Sequence, residues 1–431
     1  MDRNYISQLH CPLCGFQLCV ETEIGPEEHS LKDGIVACAC SRYPVIEGIL
    51  VLKIPDGEAL RRAVRALKRG RKAEALFSLL QKQSLFSRAV IAADTRGIPF
   101  SGIAKEALVC FKEKRTQRRL SNHSLRNAVR YFYPNEYGRY FLYRFTSTSF
   151  IASLPLLVPL EDYAGSILEI GCGMGHHAYL IKQLYPHLEQ VLLDYSFENL
   201  LCAKTFCSPQ AECICLDAND PLPFKDRSFS AIFSSDAFHY YSHKILLFQE
   251  IRRVAQERSI LLLSHLHNAV QYNPAPGMPL GSKQWLSIIG FPRKWCLAEE
   301  KIFKDFLGSD ALELSESALP DETANAFYIV GTSGDSLPST YTNVSAFVFP
   351  ENAPVMLNPL FRSITKKGRH FLVKRWPSAH QRKENRLIDS YLPDSLPLEE
   401  AVAKAIQDND CMRLPPKVKK DLRRKHILVE L

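Results

Sequence analysis

Between residues 166 and 265 short apolar runs alternate with segments of helical period. Ser166-Ile167-Leu168-Glu169-Ile170, Gln190–Leu193, Ala211–Leu216, Phe229–Phe233 and Ser259–Leu263 read as buried strands. His177–Leu184 and Ser242–Ala255 carry apolar residues three to four apart and read as helices. Strands alternating with helices predict an α/β fold, a mostly parallel sheet covered on both faces. Two later runs, Ala311–Leu314 and Ala326–Gly331, are expected to complete that sheet, with 271–301 inserted before them.

On either side the pattern changes. Residues 58–130 are helical and basic, as in Ala59-Leu60-Arg61-Arg62-Ala63-Val64-Arg65-Ala66-Leu67, which reads as a solvated helix face. Tyr131–Tyr143 interleaves aromatics with arginines, and from Ser336 the chain is basic and punctuated by proline. The expected units are therefore 1–55, a helical and aromatic connector over 56–150, an α/β domain over 151–335 and an extension over 336–431.

Composition narrows the class. Fifty-four Lys and Arg against 46 Asp and Glu leave only +8 on 431 residues, too little to argue for nucleic acid as a partner. The longest apolar stretch, Phe150–Leu160, is broken by Pro155 and Pro159 and falls short of the roughly 18 residues a membrane span needs. The start of the chain shows no apolar targeting segment. The 13 cysteines are odd in number and several lie in apolar runs, so a reducing, cytoplasmic compartment is expected.

The first strand runs into Gly171-Cys172-Gly173-Met174-Gly175 and then a helix. Glycines at such a turn let a ligand approach the backbone, and the helix N-terminus adds its dipole. Asp194, at the end of the second strand, stands where a carboxylate can accept both ribose hydroxyls. A pyrophosphate loop would carry a later glycine where His176 stands, and Glu169 just before the turn would repel a pyrophosphate but suit an ammonium group. These residues favour S-adenosylmethionine over a dinucleotide.

Residues 166 to about 265 resemble a class I S-adenosylmethionine-dependent methyltransferase, with a Rossmann-like sheet whose last strand is antiparallel. Leu168-Glu169-Ile170-Gly171-Cys172-Gly173-Met174-Gly175 is similar to the family's first motif. Leu216-Asp217-Ala218-Asn219-Asp220-Pro221-Leu222-Pro223-Phe224-Lys225-Asp226-Arg227-Ser228-Phe229 resembles a block of the ubiquinone and menaquinone methyltransferase branch. The resemblance implies that Asp217 holds the adenine amino group and Ala218 supplies a backbone contact. Where the family has Asp after Ser-Phe, this chain has Ser230.

Five cysteines fall in the first forty residues. Cys11-Pro12-Leu13-Cys14-Gly15, Cys38-Ala39-Cys40 and Tyr43-Pro44-Val45-Ile46-Glu47-Gly48-Ile49 resemble the zinc-ribbon-like methyltransferase-activator module. Four thiolates in two close pairs suit one structural, tetrahedral zinc, with His10 and Cys19 as reserve ligands; the alternative is a metal-free ribbon that keeps the cysteines.

Methyl transfer needs alignment more than acid–base help, so a base matters only where the nucleophile carries a proton. Candidates follow the fourth and fifth strands, whose carboxyl ends face the crevice of an open sheet: Phe238, His239 and Tyr240, then His265, His267 and Asn268. His265 is the first choice and His239 the second. The expected acceptor is a small molecule, enclosed by Tyr133, Tyr137 and Tyr140 on one side and by the loop from His265 through Gly281 on the other. Protein or RNA as acceptor, or a catalytically silent binding module, are the rival readings. Tyr240 and Lys244 form a dehydrogenase-like Y-x-x-x-K pair, but without the dehydrogenase glycine pattern.

Overall fold

A computed structural model describes residues 1–25, 29–53, 57–80, 125–272, 277–314, 322–334, 336–349, 354–408 and 410–430. The end of the expected ribbon at 54–56, much of the basic connector at 81–124, and 273–276 of the loop after the fifth strand lie outside these residues.

The α/β pattern is present: the strand read at 259–263 extends over 255–267, the one at 166–170 keeps its bounds and the one at 211–216 shortens to 212–215. We name β1 (Cys19–Glu23), β2 (Gly34–Ala37), β3 (Arg42–Ile46), β4 (Ile49–Val51), β5 (Ser166–Ile170), β6 (Glu189–Asp194), β7 (Glu212–Cys215), β8 (Phe229–Ser235), β9 (Ala255–His267), β10 (Arg293–Ala298), β11 (Ala311–Glu313), β12 (Ala326–Thr332) and β13 (Thr340–Thr342). The central strands β7, β6, β5, β8 and β9 are parallel neighbours, and β12 closes onto β9 antiparallel.

Period-two alternation sets the two faces. Ile167, Ala231, Phe233, Ile260, Leu262, Tyr328 and Val330 share one apolar cluster with Leu180 and Ile181 of the helix His176–Leu184. Leu168, Ile170, Ile232, Leu261 and Leu263 share the other with Phe248 and Ile251 of the helix Lys244–Val254. Both faces are dry, which is why these strands read as continuous apolar runs.

Two expectations change. Ala311–Glu313 does not join the large sheet; β11 pairs with β13 in a separate ribbon, and β10 takes the remaining edge beside β12. Arg293 and Lys294 lead into Trp295-Cys296-Leu297, an apolar core too short and too charged at its start to stand out, yet all three are buried. The sheet also has eleven strands instead of seven. β4 lies parallel to β7, with Ile49, Leu50 and Val51 opposite Cys213, Ile214 and Cys215, so β1–β4 continue the sheet edge. Tyr43 and Leu18 of this N-terminal part are fully buried in the same cluster as Ile170 and Leu263.

The C-terminal residues carry a three-stranded sheet of Phe361–Lys366, Arg369–Lys374 and Ser395–Leu398. Val355, Leu372, Ile406 and Leu428 from this part pack in the cluster that covers Phe233 and Tyr328. Asn385 Oδ1 accepts a hydrogen bond from the Thr148 backbone N–H at 2.8 Å, tying this region to the segment ahead of β5.

Candidate cofactor and acceptor site

The site grows from the carboxyl ends of the parallel strands. After Ile170 the chain turns through Gly171, Gly173 and Gly175, all left-handed with φ of 71°, 54° and 80°. A Cβ on Gly171 would lie 2.6 Å from the Ala237 Cβ and 2.8 Å from the Tyr241 hydroxyl, and one on Gly175 would meet Ala203 at 2.8 Å. Only glycine suits these two positions.

Asp194 reaches across to this turn. Its Oδ2 accepts from the Gly173 N–H at 2.8 Å, and its Oδ1 accepts from the Ser196 N–H at 2.8 Å and Asn199 Nδ2 at 3.2 Å. Burial raises the Asp194 pKa, and these hydrogen bonds oppose the rise. Glu169 is buried, and its Oε2 has no hydrogen-bond partner. Burial, reinforced by Asp194 and opposed by Arg144, pushes the Glu169 carboxyl up to about 8.

Asp217 follows β7, with Oδ1 accepting from the backbone and side-chain nitrogens of Asn219, each at 2.9 Å. Asn219 Oδ1 in turn accepts from the Ser242 N–H at 2.7 Å and the His243 N–H at 3.1 Å, joining this loop to the one after β8. Tyr241 lies near both Asp194 and Asp217: burial raises its phenol pKa and the two carboxylate charges add to the rise. Ala218 is buried in the adjoining apolar cluster. Glu169, the glycine turn, Asp194 and Asp217 thus meet around one stretch of the sheet's rim.

The aromatic segment covers that rim. Tyr133 Oη is 3.0 Å from Ser196 Oγ, Tyr137 Oη accepts from Asn199 Nδ2 at 3.3 Å, and Tyr140 Oη donates to Asp236 Oδ2 at 2.8 Å. Phe141 backs Gly173, where an added Cβ would come within 2.9 Å of its ring.

Beside it stands a cluster of titratable groups. His265 Nδ1 is 2.5 Å from Glu299 Oε2, which also accepts from Tyr328 Oη at 2.8 Å. His265 Nε2 faces Asp236 Oδ1 at 3.9 Å, and His267 Nε2 lies 3.3 Å from the same oxygen. Arg144, itself buried, sits 3.5 Å from the second Asp236 oxygen and donates to Ser149 and Ser235. Burial alone would lower the His265 pKa, but Glu299 and Asp236 outweigh it and push it up to about 9. Burial would raise Asp236, yet His265, His267 and Arg144 hold it well below the usual carboxylate range.

His239 stacks on His267, ring centroids 3.8 Å apart, with no hydrogen-bond partner for either nitrogen. Burial brings its pKa down to about 3, with Asp236 opposing the fall. The loop after the fifth strand returns over it: the Met278 N–H donates to the His239 carbonyl at 2.7 Å. Asp236, Glu299 and Arg144 are absent from the sequence reading. Asp236 directly follows β8, a position that marks it in the sequence, whereas Glu299 and Arg144 arrive from distant segments with no local motif.

At the other end of the sheet the sulfurs of Cys11, Cys14, Cys38 and Cys40 all lie within 4.8 Å of one another. Cys11 to Cys40 is 3.6 Å, Cys14 to Cys38 is 3.7 Å and Cys38 to Cys40 is 3.5 Å. Four sulfurs at roughly 2.3 Å from one tetrahedral zinc stand about 3.8 Å apart, so the tight C-x-C arm fits. His10 and Cys19 are outside this group.

Residues 167–258 match the methyltransferase domain family. This part of the chain is similar to a methyltransferase domain. It is 36% identical over 107 residues to the demethylmenaquinone methyltransferase of Thermotoga maritima, covering 25% of this chain and 46% of that protein. It is 28% identical over 101 residues to the malonyl-[acyl-carrier protein] O-methyltransferase of Legionella pneumophila, covering 23% of this chain and 36% of that protein. The chain thus spans less than half the length of these curated relatives. A solved methyltransferase from Thermotoga maritima, described as a possible histamine N-methyltransferase, aligns at 19% identity with a TM-score of 0.33, over 48% of this chain and 98% of that one. Among the described residues no helix of the chain is long and apolar enough to cross a membrane.

Proposed function

We propose that the chain binds S-adenosylmethionine at the glycine turn and transfers its methyl group to a small-molecule acceptor. The observation that carries the reading is the Glu169 carboxylate: buried, with one oxygen unpartnered, beside a turn of left-handed glycines that Asp194 already spans. On giving up its proton as an ammonium group arrives, this carboxyl would gain the partner that its free oxygen lacks. The methionine end would lie near Glu169 and Gly171, the ribose on Asp194 and the adenine near Asp217 and Ala218. The bound cofactor supplies an activated methyl group on a sulfonium.

The chain's own residues bind, orient and exclude water. Tyr137 and Tyr140 close the rim between Asp194 and Asp236. His265 would face the acceptor, its ring fixed by Glu299, while His239 stacks on the neighbouring His267 as a packed neutral ring. The matched relatives are named for different acceptors, demethylmenaquinone and malonyl-[acyl-carrier protein], so no single substrate carries over. The four thiolates hold a structural zinc that organises the N-terminal strands.

The test is to supply the purified chain with methyl-labelled S-adenosylmethionine in an extract from cells lacking it, then fractionate. Label in the small-molecule fraction is expected. Label confined to protein or RNA would contradict the acceptor class, and no label with intact cofactor binding would make the chain a binding module.

A further inference from the structure

We propose that Asp236, His265 and His267 form a second metal site, one that takes a divalent transition-metal ion and keeps open positions toward the acceptor. Two imidazoles and one carboxylate each offer an atom within 4.8 Å of the others. This donor set selects ions of the zinc, iron and cobalt kind over magnesium or calcium.

Three further observations favour a built site over a chance meeting of polar groups. First, His265 has its second ring nitrogen fixed by buried Glu299, and Glu299 is fixed by Tyr328. A carboxylate on the far nitrogen is the usual support of a metal-bound histidine, because it sets the tautomer and aims the free nitrogen. Secondly, Asp236 and His265 directly follow Ser235 and Ser264, the last parallel pair of β8 and β9, with φ of 57° and 53°, a left-handed backbone uncommon for side chains of this kind. Thirdly, His239 is 1% exposed, stacks on His267, and has both nitrogens unpartnered, so a further imidazole donor stands beside the three.

Charge agrees. Tyr140 and Arg144 occupy the second Asp236 oxygen and leave Oδ1 to the two histidines. With both imidazoles neutral, Asp236 and Glu299 outweigh Arg144, so a bound cation would displace the proton that the two carboxylates hold on His265. The side chains of His265, Asp236 and His267 are 21%, 12% and 7% exposed, so an ion there is reachable from outside. A metal with open positions takes oxygen donors, which makes an acceptor bearing a hydroxyl or enol oxygen the class this site would orient. That role rests on the methyl-transfer reading; the metal binding does not.

The experiment titrates the reduced, metal-stripped full chain with cobalt(II). Thiolate-bound cobalt at the four cysteines absorbs strongly through sulfur-to-metal charge transfer, whereas cobalt on nitrogen and oxygen gives only weak visible bands, so the two sites are read separately. One nitrogen- and oxygen-bound cobalt per chain is expected. His267→Ala and Asp236→Asn should each abolish it, leaving the thiolate spectrum and S-adenosylmethionine affinity in place. Glu299→Gln should weaken it about tenfold as a positioning residue. Cobalt bound only through thiolates, or a second cobalt indifferent to both Asp236→Asn and His267→Ala, would overturn the proposal. Failure of the wild-type chain to bind S-adenosylmethionine would instead remove the methyl-transfer reading and leave the cobalt result standing.

Discussion

Glu169 holds the sharpest residue-scale expectation. With its carboxyl pushed up to about 8, the free protein carries it mostly protonated at pH 7. An ammonium placed against it favours the carboxylate, so cofactor binding at pH 7 should release close to one proton. Calorimetry in buffers of different ionisation enthalpy reads that proton; Glu169→Gln should abolish the buffer dependence, and a wild-type chain showing none would contradict the placement. The same shift has a cost for the free protein. The folded state holds a proton that the unfolded state has lost above about pH 4.5, so stability should fall as pH rises from there through about 8, and Glu169→Gln should flatten that slope. On the acceptor side, His265→Ala should lower turnover while S-adenosylmethionine affinity stays within about twofold, below about 0.5 kcal/mol. Joint loss of both would assign His265 to the cofactor site or the fold.

At the scale of elements, what was legible follows from burial. Strands covered on both faces announce themselves as apolar runs, so β5, β6, β8 and β9 stand in the sequence close to where they lie in space. The carboxyl ends of those strands are legible too, because Gly171 follows β5, Asp194 closes β6 and His265 lies near the end of β9. β10 was hidden because Arg293 and Lys294 open it, and Ala311–Glu313 was misplaced because a short apolar run does not reveal which sheet it joins. Pairing is a long-range choice. Glu299 and Arg144 escaped for the same reason: each meets His265 or Asp236 only through tertiary contact. Leu50, fully buried in β4, measures how firmly the N-terminal strands belong to the sheet. Leu50→Ala should cost about 2–5 kcal/mol in denaturant unfolding and shift one common transition. A separate early transition for the first fifty residues would mean that β4 and β7 are not energetically joined.

The described residues are organised around one eleven-stranded sheet, with the glycine turn, Asp194 and Asp217 at its rim and four cysteines beside its N-terminal strands. Because β1–β4 extend the edge beside β7, a zinc on Cys11, Cys14, Cys38 and Cys40 would stabilise the strand that borders the Asp217 loop without entering the chemistry. Removing it by chelation under reducing conditions should lower the melting temperature, and an unaltered melting temperature in zinc-free protein would favour a metal-free ribbon. The C-terminal residues pack into the cluster that covers Phe233 and Tyr328, and Asn385 ties them to Thr148 in the segment ahead of β5. Glu169, the glycine turn, Asp194 and Asp217 come together at the rim, and cofactor binding there is the most direct test. Isothermal titration of the purified chain with S-adenosylmethionine should show one site, and Asp194→Ala should weaken it roughly ten- to a hundredfold, the loss of a charge-assisted hydrogen bond of about 1.5–3 kcal/mol. No binding by the wild-type chain, or equal affinity in Asp194→Ala, would contradict the account.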